Sequence, residues 1–328
     1  MITRKHQNVK LDTAFFPVEM QPIFLDNGTR PPKRISGYKA IVKTNDGTTI
    51  SVVSDKYRLL TNQEAYNLAD YVIRGIFEGK TLGDFECFNV RMPKSSASCK
   101  IDLIIPNNFS KLSGDLSESW VPFLRITNSY NKTKPLKYEV GFCRWICLNG
   151  LIFGQKGVSF ALSHSERIGT LEIMALAETA RRQIGSVDSL WKVFEQKMIT
   201  LRQIPLPPTS ALPIYCKAFG IHVKQDISEI QKEIYSNRAS QIVKASKEYF
   251  KELGNNAYAM MNVLSDFASF PEWTQSPNNY VDGYQRKVGK WVDEFIAEYK
   301  KDGFSLSKYI GEECQNTAYF LESLIPQE

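Results

Sequence analysis

Arg125-Ile126-Thr127-Asn128-Ser129-Tyr130-Asn131-Lys132-Thr133-Lys134 gathers three cations, several hydrogen-bonding side chains and one aromatic ring into ten residues. Cations at this spacing can follow a phosphate backbone, and an aromatic ring can stack on a base. A polar hairpin end needs much the same residues, so both readings stand. Arg125, Asn128, Tyr130, Lys132 and Lys134 are the candidate contacts to nucleic acid or to a protein partner. Arg144 and Asn149 complete the set. Alternation from Lys137 to Asn149 places Arg144 on a face shared with Tyr138, Val140, Phe142, Ile146 and Leu148. A half-buried Arg needs an acceptor, either a carboxylate within the fold or an anionic ligand outside it, and the internal partner is favoured.

Other chemistry finds little material. Gly75-Ile76-Phe77-Glu78-Gly79-Lys80-Thr81 ends like a phosphate loop, yet Arg74 stands where the first glycine belongs. The segment also closes a helix instead of leading from a strand into one, so helix termination is the reading. His6, His164 and His222 are far apart and lack metal-ligand neighbours, and Asp84, Glu86 and Asp102 match no nuclease spacing. Six cysteines are scattered without paired zinc spacings, and Cys143 and Cys147 read as core packing. No nucleophile elbow or dinucleotide fingerprint occurs. The expectation is a binding protein without catalytic activity, cofactor or metal.

These residues must be carried by elements, and the pattern supplies them. GYKAIVKT and TTISVVS flank Asn45-Asp46-Gly47, residues that accept the positive φ of a hairpin turn. Thr61 to Glu64 opens a helix in which Ala65, Leu68, Ala69, Val72, Ile73 and Ile76 recur at helical spacing, expected to lie on the hairpin's sheet. Strands follow at DFECFNVRM, ASCKIDLIIP, WVPFLRITNSY, the long PLKYEVGFCRWICLN, and VSFALS, which suggests an antiparallel sheet. From residue 165 the periodicity is helical, interrupted by PLPPTSALP. The fold class is α+β: an N-terminal antiparallel β-sheet with one packed helix, then a mostly α-helical C-terminal half. Residues 1–35, with their prolines in RPPKR, read as an arm or lead-in, 36–164 as the α+β core and 165–328 as the helical region.

With 43% apolar residues the chain of 328 has ample material for a core, and its formal charge of +6 permits an anionic partner. The start MITRKHQNVK lacks the apolar run of a signal peptide, and nothing approaches the roughly 20 apolar residues of a membrane span. A cytoplasmic location without membrane contact is expected.

TNDGTTISVVSDKYRLLTNQEAYNLAD, taken with FLRITNSYNKTKPLKYEVGFCRWICLNGLIFG, resembles the phage/plasmid-like protein family, a domain of unknown function carried by bacteriophages, prophages and conjugative plasmids. Its V-x-D-x-Y-x-x-x-x-N-x-E-A pattern is matched at Val53, Asp55, Tyr57, Asn62, Glu64 and Ala65, and its R-V-V-C-x-N-like segment at Arg144 to Asn149. The NSYNKT run stands where that family has an S-H-D-G type turn. The resemblance covers roughly residues 35 to 165 and implies a mobile-element origin and a bacterial host cytoplasm. Two functions follow as expectations: DNA binding, preferentially to single strands, or counter-defence, in which a homo-oligomer docks on a host anti-phage nuclease complex. For the second, Trp191, Phe194, Trp273, Tyr280, Tyr284 and Trp291 are candidate anchors, with packing in the core as their ordinary role.

Overall fold

A computed structural model describes residues 9–26, 28, 31–106, 110–111, 119–152, 159–164, 170–184, 186–223, 227–274 and 280–326. The Asn45-Asp46-Gly47 turn forms as its residues dictate: Gly47 takes a φ of 72°, and the Asp46 carboxylate accepts from the Thr48 N–H at 2.8 Å. Three antiparallel strands make up this first sheet: β1 (Val18–Leu25), β2 (Lys33–Lys43) and β3 (Thr49–Ser54), with β2 at its centre. The expected arm is therefore corrected over residues 18–25, which form an edge strand; residues 1–8 lie outside the described residues. Pro22 is compatible with that place, because an edge strand can leave a donor position unused.

The helix α1 (Asn62–Ile76) begins with a capping box in which Thr61 and Glu64 satisfy each other's backbone amides. Its buried stripe does not lie on the hairpin's sheet as expected. Ala65, Ala69, Val72, Ile73 and Ile76 pack instead with Ile101, Leu103, Leu124, Ile126 and Val140 of a second sheet. The reason is supply of apolar surface: the first sheet's own buried cluster holds Ile41 and Val53 from its strands, too few to cover a five-residue stripe.

The second sheet has seven antiparallel strands: β4 (Glu86–Arg91), β5 (Ser98–Ile104), β6 (Ser110–Lys111), β7 (Ser119–Ser129), β8 (Leu136–Arg144), β9 (Asn149–Leu151) and β10 (Ser159–Leu162). Its main path runs β10-β8-β7-β5-β4. The single long strand expected through Asn149 ends at Arg144. There the chain turns, with Leu148 at a φ of 57° and its N–H donating to Arg144 O at 2.8 Å, and β9 returns so that Asn149 pairs with Arg144. The two-face alternation holds as far as Arg144 and is reset beyond it.

Helices follow: α2 (Thr170–Ile184), α3 (Val187–Gln203), α4 (Ala211–Phe219), α5 (Glu229–Leu253), α6 (Ala257–Ser269), α7 (Val281–Tyr299), α8 (Leu306–Ile310) and α9 (Glu312–Ser323). The helix α6 is buried from Ala257 to Ala268 and forms the axis of this half. Together α6 and α7 meet the second sheet at β9, opposite the face that α1 covers. Among the described residues no helix is long and apolar enough to cross a membrane.

Candidate functional site

Five of the seven sequence-derived candidates carry buried side chains. Asn128 Nδ2 donates to Leu60 O and to Asn62 Oδ1, both at 2.9 Å, and the Tyr130 hydroxyl accepts from the Asn62 N–H at 3.0 Å. The Tyr57 hydroxyl donates to Ser129 O at 2.7 Å. Asn128 to Tyr130 therefore tie the end of β7 to the start of α1 and to the residues after β3. Tyr57 and Asn62, singled out by spacing, are the other half of that joint.

Arg144 finds the internal acceptor that its position demanded: Nη2 donates to Glu252 Oε1 on α5 at 2.7 Å. Asn149 Nδ2 donates to the Tyr249 hydroxyl at 2.8 Å. These two candidates dock the β8–β9 turn onto the helical half. The aromatic anchors considered for a protein partner are likewise internal: Phe194, Trp273 and Trp291 are buried in the helical core, and Trp191, Tyr280 and Tyr284 pack against it. Their rings serve that core, the ordinary role expected of them, with Trp191, Tyr280 and Tyr284 only partly buried.

Arg125 belongs to a charged layer on the face of the second sheet turned toward α7. Strand register builds it: Asn89, Asp102, Arg125 and Glu139 are successive cross-strand partners, as are Arg91, Lys100, Thr127 and Lys137 one rung further on. The charged members of the first rung alternate in sign. Arg125 forks onto Asp102, with Nε to Oδ1 at 2.6 Å and Nη2 to Oδ2 at 2.9 Å, while Glu139 takes Lys137 and Arg286. The second rung carries cations on three of its four strands, an arrangement that like-charge repulsion disfavours.

Asp282, in the first turn of α7, answers that second rung. Its carboxylate meets Lys100 Nζ at 2.7 Å, Arg125 Nη1 at 2.9 Å, Arg91 Nη2 at 3.8 Å and Lys134 Nζ at 3.9 Å. Gln285, one turn on, accepts from Arg125 Nη1 at 2.8 Å. Burial opposes ionisation of Asp102 and Asp282, yet the surrounding cations hold both carboxyls below their ordinary value. Lys100 behaves in the opposite way: burial pulls it down to about 8, and Asp282 offsets only part of that. Sequence reasoning passed over Arg91, Asp282 and Gln285, and weighed Asp102 only against nuclease spacings. A signal existed: Asn89-x-Arg91, Lys100-x-Asp102, Arg125-x-Thr127 and Lys137-x-Glu139 each place two polar side chains on one face of an apolar strand.

Lys132 and Lys134 reach the surface at the β7–β8 turn. Lys132 Nζ donates to Ser54 Oγ at 2.7 Å, and Ser54 is the cross-strand partner of Tyr38. The turn thus leans on the first sheet, where Tyr38 (55%) and Val52 (57%) are exposed on the face that carries Ser54, and Phe24 (53%) is exposed near the end of β1 as the cross-strand partner of Arg34. Lys33, Arg34, Lys56 and Arg58 are exposed around them. Between residues 33 and 58 six cations face two acids, a local excess of four out of the chain's +6. Among the described residues no group of three or more His, Cys, Asp or Glu side chains could hold a metal ion.

An α+β protein emerges in which one sheet is clamped through a charged layer beneath a helical half, while a smaller basic sheet presents an apolar and aromatic surface to solvent. The chain belongs to the DUF932 family, a domain of unknown function, which matches residues 49–269. That span runs from β3 to the end of α6, so it reaches past the resemblance over 35 to 165 and into the helices. No curated protein and no solved structure matches the chain.

Proposed function

We propose that this protein is a non-enzymatic binding protein of a bacterial mobile element, and that its ligand is single-stranded DNA carried on the outer surface of the first sheet. The observation behind this reading is the coincidence of charge and an aromatic ring: most of the chain's net charge falls within residues 33–58, where Tyr38 is exposed. Cations would track the phosphates and the ring would stack on a splayed base, a combination that tolerates any sequence. The Lys132 tip extends the same surface, which retains part of the stretch that first suggested nucleic acid. The mobile-element setting rests on the resemblance of Val53 to Ala65 and Arg144 to Asn149 to the phage/plasmid-like family.

A protein partner, the counter-defence reading, is favoured by one specific feature: exposed Leu25 and Ile35 sit among the same cations, and exposed apolar surface marks protein contacts as well. Fluorescence anisotropy with labelled single-stranded and duplex oligonucleotides separates the two. Single strands are expected to bind preferentially, with affinity falling steeply as salt rises. The double change Lys33→Ala, Arg34→Ala should weaken binding and flatten the salt slope by about 0.7 per lost phosphate contact, and Tyr38→Ala should cost about 1–3 kcal/mol. No binding at low salt, or equal binding by the Tyr38→Ala and Lys33→Ala, Arg34→Ala proteins, overturns the proposal.

A further inference from the structure

Helices α3 and α7 pack against each other at the surface of the helical half and leave a groove of about 560 Å³ between them. Its walls are one stripe of each helix, Val193, Lys197 and Thr200 on α3 and Asp293, Ile296 and Lys300 on α7, residues three and four apart that share a helix face. The apolar surface comes from Val193, which is 47% exposed, with Ile296 and Ala297. Among the described residues no aromatic side chain lines it.

The rim of this groove is basic. Lys197 Nζ pairs with Asp293 at 2.6 Å, which satisfies the single carboxylate in the lining, whereas the exposed Lys192 and Lys300 meet no carboxylate among the described residues. Ala297 also lines a second cavity, of about 700 Å³, along the adjacent face of α7. There Glu294 is paired with Lys290 at 3.3 Å and Glu298 with Lys301 at 2.6 Å, while the exposed Lys217 and Lys308 have no acidic partner among the described residues. Lys287, the remaining amine, donates to Phe219 O at the end of α4 at 2.6 Å. The two linings together hold seven lysines and three carboxylates, all three already paired. A complementary surface is therefore apolar at its centre and negative around it.

We propose that the α3–α7 groove receives an acidic amphipathic helix of a partner protein. Apolar side chains at i, i+3 and i+7 of that helix fill the groove over Val193, Ile296 and Ala297, and its carboxylates meet Lys192 and Lys300. From Lys192 to Thr200 the α3 wall measures about 12 Å at about 1.5 Å per residue, enough for two turns of a docked helix. Single-stranded DNA suits the groove less, because no ring offers a stacking platform and an apolar floor strips water from phosphates without replacing it. None of these residues belongs to the first sheet, so the inference does not depend on the DNA reading.

The test is fluorescence anisotropy of the full chain with a labelled peptide of about 15 residues, the length at which isolated helices begin to form. The peptide carries Leu at i, i+3 and i+7 and Glu on its remaining face. Saturable binding of one peptide per chain is expected, weakening as salt rises. A scrambled peptide of the same composition and a peptide with Lys in place of Glu should each bind about tenfold more weakly or worse, which reads pattern and charge separately. Val193→Glu should abolish binding. Lys192→Glu combined with Lys300→Glu should weaken the acidic peptide by about tenfold and admit the basic one. All three positions are exposed, so melting temperatures should stay near that of the parent, and Val193→Ser stands in if Val193→Glu fails to fold. Absence of saturable binding by the acidic peptide overturns the proposal, as does equal binding of the scrambled peptide or binding that survives the substitutions unchanged. Self-association of the parent that Val193→Glu abolishes assigns the groove to a second copy, and displacement of the peptide by a single-stranded oligonucleotide assigns it to nucleic acid; either result overturns the proposal as well.

Discussion

Asp282 is the residue on which the two halves of the chain balance, and its chemistry is readable as a pH dependence. The folded carboxyls of Asp282 and Asp102 lie below the ordinary value of 3.8, so folding binds fewer protons than the unfolded chain just below that pH. The stability they contribute is complete above about pH 4 and is lost as pH falls through the folded values. Urea unfolding followed from pH 5 to pH 2 should show this decline. Asp282→Asn should make it shallower by up to about 1.4 kcal/mol per pH unit. An identical slope in parent and variant would remove Asp282 from the account. At this scale the sequence was partly legible. The need of Arg144 for an internal acceptor followed from its place on an apolar face. The carboxylate that answers Arg125 from α7 did not, because it lies 157 residues away and no spacing rule links them.

Elements were legible wherever their signals are local. Asn45-Asp46-Gly47 and the Thr61–Glu64 box fix a turn and a helix start through their own backbone hydrogen bonds. Which sheet receives α1 depends on the apolar surface available elsewhere, and a window around α1 cannot reveal it. The β8–β9 turn was illegible for another reason. Trp145-Ile146-Cys147-Leu148 contains no Gly, Pro, Asn or Asp, so its composition carries on the strand pattern while the backbone reverses. Closing that turn brings Leu151 back over β8 at Gly141, where a Cβ would lie 2.5 Å from Leu151 O and from the Phe123 ring. Gly141→Ala is therefore expected to destabilise by about 1–3 kcal/mol in chemical denaturation, the usual cost of overpacking. Gly83→Ala, whose Cβ would meet only Thr81 Oγ1 at 3.6 Å, is the control and should change little.

Across the whole molecule, burial is distributed very unevenly. The helix α6 is enclosed over nearly its full length, whereas β1 and the first half of β2 are largely open to solvent. Hydrogen exchange read by mass spectrometry should rank these regions accordingly, with α6 amides exchanging only on global unfolding and the strand ends at Phe24 and Arg34 exchanging through local opening. Comparable protection in both would contradict the packing described. The general α+β division was visible in the change of periodicity near residue 165. The double role of the second sheet, apolar toward α1 and charged toward α7, required knowing how four strands register.

That register has a consequence during synthesis. Strands β4 to β8 are complete at Arg144, and the carboxylate that quiets their second rung follows only at Asp282. At ribosomal elongation rates the interval is on the order of ten seconds. Throughout it Arg91 and Lys137 can pair with Asp102 and Glu139 of the sheet itself, while Lys100 waits for its carboxylate from α7. Docking of α7 therefore completes the charge pairing of the sheet at Lys100 as well as the packing of the helices.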